Sequence, residues 1–348
     1  MPPDAPLLST RNLRVEFDVP GGRLPAVQGV NLSLGRGELL ALVGESGSGK
    51  SALAMSLVGL NRGPRTHITG EVDFNGQDLV AASEKQLRAV RGSGIAVVFQ
   101  DSLAALNPLQ RAGAQVAEMI REHRSMSRAE ALNQAEALLA DVGIANPKQS
   151  ARAYPHQLSG GMRQRVMIAV GLANDPGVLI ADEPTTALDV TIQAQVLALL
   201  KRLQAEHGTS IILITHDLGV VSEVADRIAV MYAGRIVEQG SRDQVLGNPQ
   251  HPYTMGLLNS MPRIDGERRP RLAAIPGNPL TGVNRPPGCA FALRCTFAHD
   301  ACEQLPLLKA RFGEPDHLDA CILDEPTRAL ARAVDHEGDG TQTAAESC

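Results

Sequence analysis

The segment Gly44-Glu45-Ser46-Gly47-Ser48-Gly49-Lys50-Ser51 follows an apolar run, Leu39 to Val43, and precedes an apolar-periodic stretch, Ala52 to Leu60. Glycines at this spacing between a strand and a helix let consecutive backbone N–H groups turn inward around a phosphate. The start of the helix adds positive potential. Lys50 is placed to reach the β- and γ-phosphates of a nucleoside triphosphate, and the Ser51 hydroxyl to hold Mg2+. The whole chain has only five lysines, so an incidental lysine after a glycine-rich turn is a poor account of the pattern. Val178-Leu179-Ile180-Ala181-Asp182-Glu183 supplies the partner, a central-strand run ending in two carboxylates. Neighbouring residues on an extended chain face different ways. Asp182 can therefore serve the metal while Glu183 addresses the water that attacks the γ-phosphate. Alone, such a run is an ordinary strand end; beside a phosphate loop it supplies a candidate general base.

Between these two motifs lies Leu158-Ser159-Gly160-Gly161-Met162-Arg163-Gln164-Arg165. Ser159 can cap a helix, and Gly160 and Gly161 leave its first backbone donors open, which makes a second anion site. This stretch resembles the signature sequence of ATP-binding-cassette (ABC) ATPases, and the remaining elements come in that family's order. Gln100, after the run Ile95 to Phe99, resembles the glutamine that touches Mg2+ and the attacking water. Thr186-Ala187-Leu188-Asp189 resembles the D-loop, and His216, after Ser210 to Thr215, the histidine that contacts the γ-phosphate. Phe17 resembles the aromatic residue that stacks on adenine. The resemblance covers about residues 7 to 245 and implies an ATP site built from Phe17, Gly44, Ser46 to Ala52, Ser159, Gly160, Gly161 and Asp189, with Glu183, His216 and Gln100 catalytic and Ser51, Gln100 and Asp182 around Mg2+. It further implies a head-to-tail dimer with a second ABC ATPase subunit, identical or not, in which each ATP lies between one phosphate loop and the opposing signature.

A narrower resemblance extends further. Tyr154 to Arg165, with Met162 where many relatives carry Gln, together with His251-Pro252-Tyr253-Thr254 and Ile275-Pro276-Gly277, is similar to the dipeptide and oligopeptide importer branch. That branch implies an energy-coupling subunit, peripheral on the cytoplasmic face of the membrane. Its partners would be two transmembrane permease subunits and, indirectly, an extracytoplasmic peptide-binding protein. A nickel-importer ATPase of the same branch is the nearest alternative. A soluble ABC switch in DNA repair or translation is the other, although the first usually inserts a long coiled coil and the second usually carries two cassettes.

Four of the five cysteines, Cys289, Cys295, Cys302 and Cys321, fall close together. Four thiolates can complete a tetrahedral zinc site or an iron-sulfur cluster, and spacing does not choose between them; the missing C-x-x-C pair speaks mildly against a zinc ribbon. The peptide-importer resemblance favours a 4Fe-4S cluster of structural rather than redox use, with zinc as the alternative and Cys348 left out.

The elements that must position these groups follow from the pattern. From residue 37 to about 240, short apolar runs alternate with helical periodicity, which is α/β. The resemblance makes this a P-loop ABC domain: a RecA-like core, an antiparallel β subdomain and an α-helical subdomain over about 101–176. Leu39 to Val43, Ile95 to Phe99, Val178 to Ala181 and Ser210 to Thr215 read as buried strands. Ser127 to Val142 reads as a helix with a capping box to Glu130 and a stop at Gly143, and Ile228 to Gln239 as a hairpin turning near Gly234. Prolines recur from Asn248 to Gly288, so the expected division is a cassette over 1–247, a small proline- and cysteine-rich extension over 248–332, and a disordered tail over 333–348.

Composition narrows the class. A formal charge of −5, no Trp and nine Phe or Tyr argue against nucleic-acid binding. No apolar run approaches the roughly 20 residues of a membrane span, and Met1 to Thr10 lacks a secretory pattern, so a cytoplasmic location is expected.

Overall fold

The run Leu39–Val43 divides its side chains between two cores: Leu39, Ala41 and Val43 enter one buried cluster, Leu40 and Leu42 the other. A strand apolar on both faces requires cover on both, and the rest of the cassette supplies it. The computed structural model describes residues 5–186, 188–261, 275–280, 282–311 and 313–334. In chain order its strands are β1 (Leu8–Val19), β2 (Gly22–Leu34), β3 (Leu39–Val43), β4 (Thr66–Phe74), β5 (Gln77–Asp78), β6 (Ile95–Val98), β7 (Val178–Asp182), β8 (Ser210–Thr215), β9 (Arg227–Tyr232), β10 (Arg235–Ser241), β11 (Lys309–Arg311) and β12 (Glu314–Asp319).

Two sheets result. The order β2-β1-β4-β5 forms an antiparallel sheet, and β11-β12-β10-β9-β3-β8-β7-β6 forms the main one, parallel from β9 through β6. All four strands read from the apolar runs are present, with β3 and β8 matching residue for residue. Between β6 and β7 lies a helical layer that includes Ala112–His123, Arg128–Asp141 and Gly160–Leu172. The second of these starts at the expected capping box, in which Ser127 and Glu130 bond reciprocally. β9 and β10 form the expected antiparallel hairpin.

Past residue 247 the chain forms regular elements despite its prolines. Pro252 occupies the first turn of the helix Pro252–Asn259, where its missing N–H costs nothing. β12 pairs with β10 at Glu238↔Asp319 and Gln239↔Leu318, so the main sheet runs across the expected 247/248 boundary. Glu238 is fully buried and accepts the N–H groups of Gln250 and His251 at 2.8 and 2.9 Å, with His317 Nε2 also at 2.8 Å. Aromatic rings pack at the junction: Tyr232 of β9 lies 4.7 Å from Tyr253 and 5.3 Å from Phe291, ring centre to ring centre. The helix Glu325–Val334 crosses the expected start of the tail; the remainder of that tail, 335–348 with Cys348, lies outside the described residues. Among the described residues no helix is long and apolar enough to cross a membrane.

Candidate active site

The glycines of the loop after β3 are required by close approach. At Gly44 (φ 154°) a Cβ would stand 2.2 Å from Met231 O, and at Gly49 (φ 105°) 2.2 Å from Ala26 O. No side chain caps the helix Lys50–Leu57, so donors at its start stay available to a ligand. Lys50 is buried, and its Nζ donates to Gly44 O at 2.7 Å and Glu45 O at 2.9 Å, with Ser48 Oγ at 3.4 Å. Burial pushes its pKa down, opposed by the charges of Glu183, Asp182 and Glu45.

β6, β7 and β8 run parallel and deliver their following residues to the same edge, where ligands bind in open α/β sheets. Asp182 ends β7 and is 5% exposed. Burial raises its pKa, while a hydrogen bond with Ser51 works the other way. Its Oδ1 is buried with no hydrogen-bond partner among the described residues. An orphaned carboxylate oxygen beside a hydroxyl is a donor set that suits a hydrated Mg2+.

Glu183 adopts φ 47°, a left-handed conformation rare for a side-chain-bearing residue, which turns it away from the strand direction. Its Oε2 accepts from Gln100 Nε2 and Thr186 Oγ1, each at 2.8 Å. His216 Nδ1 lies 3.5 Å from its Oε1. The loop Gly44–Ala52, Gln100, Glu183 and His216 share a cavity of about 870 Å³, with Ser48 as a buried prop beneath.

Other expected residues stand elsewhere. Phe17, half-buried on β1 opposite Leu24 and Thr66, packs against the core under the antiparallel sheet and does not line this cavity. Ser159 caps the helix Gly160–Leu172 by accepting the Met162 N–H at 3.2 Å, and Asp189 caps Val190–His207 by accepting the Ile192 N–H at 2.9 Å. Neither these caps nor Gly160 and Gly161 line the cavity either. Ala187, within the D-loop match, lies outside the described residues.

Sequence reasoning missed the opposite wall, which comes from the extension: Leu257, Ser260, Ile275, Gly277, Pro279 and Arg294. The one signal for it was Glu45, an acid within a loop shaped for anions, which calls for a cation from somewhere else in the chain.

Of the four clustered cysteines, Cys321 is buried and Cys289, Cys295 and Cys302 are half-buried. Cys289 N–H donates to Cys302 O at 2.8 Å, and Cys295 follows the turn Ala292–Arg294. Burial pushes the Cys295 thiol up to about 12, with Cys321, Cys289 and Cys302 adding to the rise. It pushes Cys321 up to about 11 and also raises Cys289. Among the described residues, the one triad of potential ligand atoms within 4.8 Å of each other is Asp141, Glu206 and His207, so no three of these sulfurs are that close.

Comparison with known proteins decides the family. The family model described as ABC transporter matches residues 27–186, and that described as oligopeptide/dipeptide transporter, C-terminal region, matches 237–302. The oligopeptide transport ATP-binding protein OppD of Bacillus subtilis is 51% identical over 84% of this chain and 82% of its own length. The chain belongs to the ABC transporter family. This ABC ATPase is also 48% identical to the dipeptide transport ATP-binding protein DppD of Bacillus subtilis, over 86% of this chain and 89% of that protein. OppD of Salmonella typhimurium is 46% identical over 91% and 93%. Among solved structures, the dimeric ATP-binding cassette MJ0796 in a post-hydrolysis state with ADP and Pi aligns with a TM-score of 0.62 and 30% identity, covering 68% of this chain and 98% of that one.

Proposed function

We propose that this ABC ATPase is the energy-coupling subunit of an importer for dipeptides and oligopeptides, seated on the cytoplasmic face of the membrane against two permease subunits. The observation that carries the reading is the Glu183 carboxylate, braced by two donors, in the same cavity as the Lys50 loop. Similarity to peptide-transport relatives over most of the chain supports peptide cargo above nickel.

In this reading the loop Gly44–Ala52 holds the triphosphate through backbone donors, and Lys50 exchanges its contacts on Gly44 and Glu45 for phosphate oxygens. Ser51, Asp182 and Gln100 would hold Mg2+, which neutralises phosphate charge. Gln100 and Thr186 occupy Oε2 of Glu183, so Oε1 is left to take a proton from water. As that water's oxygen bonds to the γ-phosphorus, the bond to the bridging oxygen breaks and ADP leaves with the electron pair. His216 stands beside the same carboxylate oxygen and orients the water. Ser159, Gly160 and Gly161 would close on the γ-phosphate from an opposing subunit, joined through Asp189; Phe17, outside this cavity, would stack on the adenine. Nucleotide then acts as glue between cassettes, and loss of phosphate releases it.

The cysteines are proposed to hold a 4Fe-4S cluster. The thiols of Cys289, Cys295 and Cys321, raised by burial, stay protonated until a cation draws the protons off, and the resemblance to the peptide-importer branch favours a cluster over zinc. Anaerobic purification should yield brown protein with about four irons per chain; colourless protein holding zinc would reverse that assignment. For the transport reading, the chain co-expressed with its permeases should co-purify with them and show peptide-stimulated ATP hydrolysis in vesicles. Recovery only with nucleic acid or ribosomes would overturn it.

A further inference from the structure

An acid in the second position of a phosphate-binding loop is a liability, because its charge repels the ligand the loop is shaped for. Here the carboxylate of Glu45 is met by a two-pronged grip from the extension: Arg294 Nη1 donates to Oε2 at 2.6 Å and Nη2 to Oε1 at 3.0 Å. The Arg294 side chain is only 4% exposed and is steadied from behind by Nε donating to Pro276 O at 2.8 Å. Tyr253, fully buried, accepts the Glu45 N–H on its hydroxyl at 2.8 Å, and Lys50 donates to the Glu45 carbonyl. Every polar group of Glu45 is thus engaged, two of the three by residues some two hundred positions further along the chain.

We infer that Arg294 is a positioning residue of the nucleotide site: it neutralises Glu45 and fixes the loop so that this acid does not repel the triphosphate from Lys50 and the backbone donors. The inference rests on the reading that Gly44–Ser51 hold the phosphates. Arg294 itself lines the cavity but spends its fork on Glu45, so its effect reaches the ligand through the loop. Its turn, Ala292–Arg294, ends against Cys295, and Ala292 N–H donates to Cys289 O at 3.1 Å, which ties its reach to the cysteine-bearing segment.

The test uses the full chain, a fluorescent ATP analogue for affinity, steady-state turnover for KM and kcat, and thermal melting as a folding control. Arg294→Ala should weaken analogue binding and raise KM about 10- to 100-fold, the range for uncovering a buried charge, with kcat at saturation largely retained. Adding Glu45→Gln to Arg294→Ala removes the uncovered charge and should restore most of the loss. Arg294→Lys, which keeps the charge without the fork, should fall between. If Glu45→Gln fails to rescue Arg294→Ala, the arginine acts directly on phosphate or only as a staple, and the inference is wrong. A lowered melting temperature with unchanged KM would also overturn it. Failure of the underlying reading would show separately, as Lys50→Ala binding the analogue as well as the parent does.

Discussion

Two helix starts in this chain are candidates to meet phosphate, and they are finished differently. At Lys50–Leu57 no side chain caps the helix, the loop before it is pressed against Met231 and Ala26, and Gln100, Glu183, His216 and the extension close a cavity around it. At Gly160–Leu172 the Ser159 hydroxyl already takes one of the open N–H groups, and this helix start does not line that cavity. In the proposed site the first is an almost complete half; the second has one N–H capped and would gain a ligand when another surface brings one. A site divided in this way would make hydrolysis depend on assembly, because neither start alone surrounds a γ-phosphate.

Substitutions can break or sharpen that contrast. The largest expected effect is at the complete half: Glu183→Gln should lower turnover roughly 10²- to 10⁴-fold, the range for losing a general base, while ATP binding persists and paired cassettes accumulate, as size-exclusion with ATP will show. Lys50→Ala should come next, weakening nucleotide binding about 10- to 100-fold by titration, in keeping with the loss of charge-assisted hydrogen bonds. Ser159→Ala should cost about 1 kcal/mol of helix capping, lower turnover where chains can pair, and leave the affinity of dilute chains for nucleotide unchanged. Equal losses of dilute affinity in the last two variants would erase the distinction.

The smallest effect tests the wall behind the complete half. Burial, helped by Arg328, pushes the His251 pKa down to about 3, so the folded chain keeps this ring neutral, with Nδ1 accepting the Tyr253 N–H. An unfolded histidine takes up its proton near pH 6.5. Over the window from about 6.5 down to 3 the unfolded state therefore binds more protons, and stability falls as pH falls. His251→Asn keeps a capping acceptor and should flatten the decline of melting temperature between pH 6.5 and 5 relative to the parent.

Much of the complete half was legible in sequence because its information is local. Leu39–Val43 and Ser210–Thr215 are strands by composition, Ser127 and Glu130 announce their helix start, and Asp182 and Glu183 end a run that had to be central. The wall was not legible, since Arg294 meets Glu45 across 249 positions and no periodicity encodes such a pairing. β11 and β12 escaped notice for a related reason: Glu314–Asp319 is rich in polar residues and carries a proline, and only the waiting edge of β10 makes it a strand. The unusual backbone of Glu183 likewise has no signature in residue type; it accompanies a turn in which the Glu183 N–H donates to Ile214 O and the Thr186 N–H to Glu183 O.

The pairing of β12 onto β10 also governs how the molecule can be cut. A fragment ending at the cassette's apparent terminus would bare the hydrogen-bonding groups beside Glu238 and Gln239 and strip the Glu238 carboxylate of all three donors. An open, flat rim of that kind recruits strands from other molecules. Truncation for expression or crystallisation therefore belongs after Val334, where the last described helix ends.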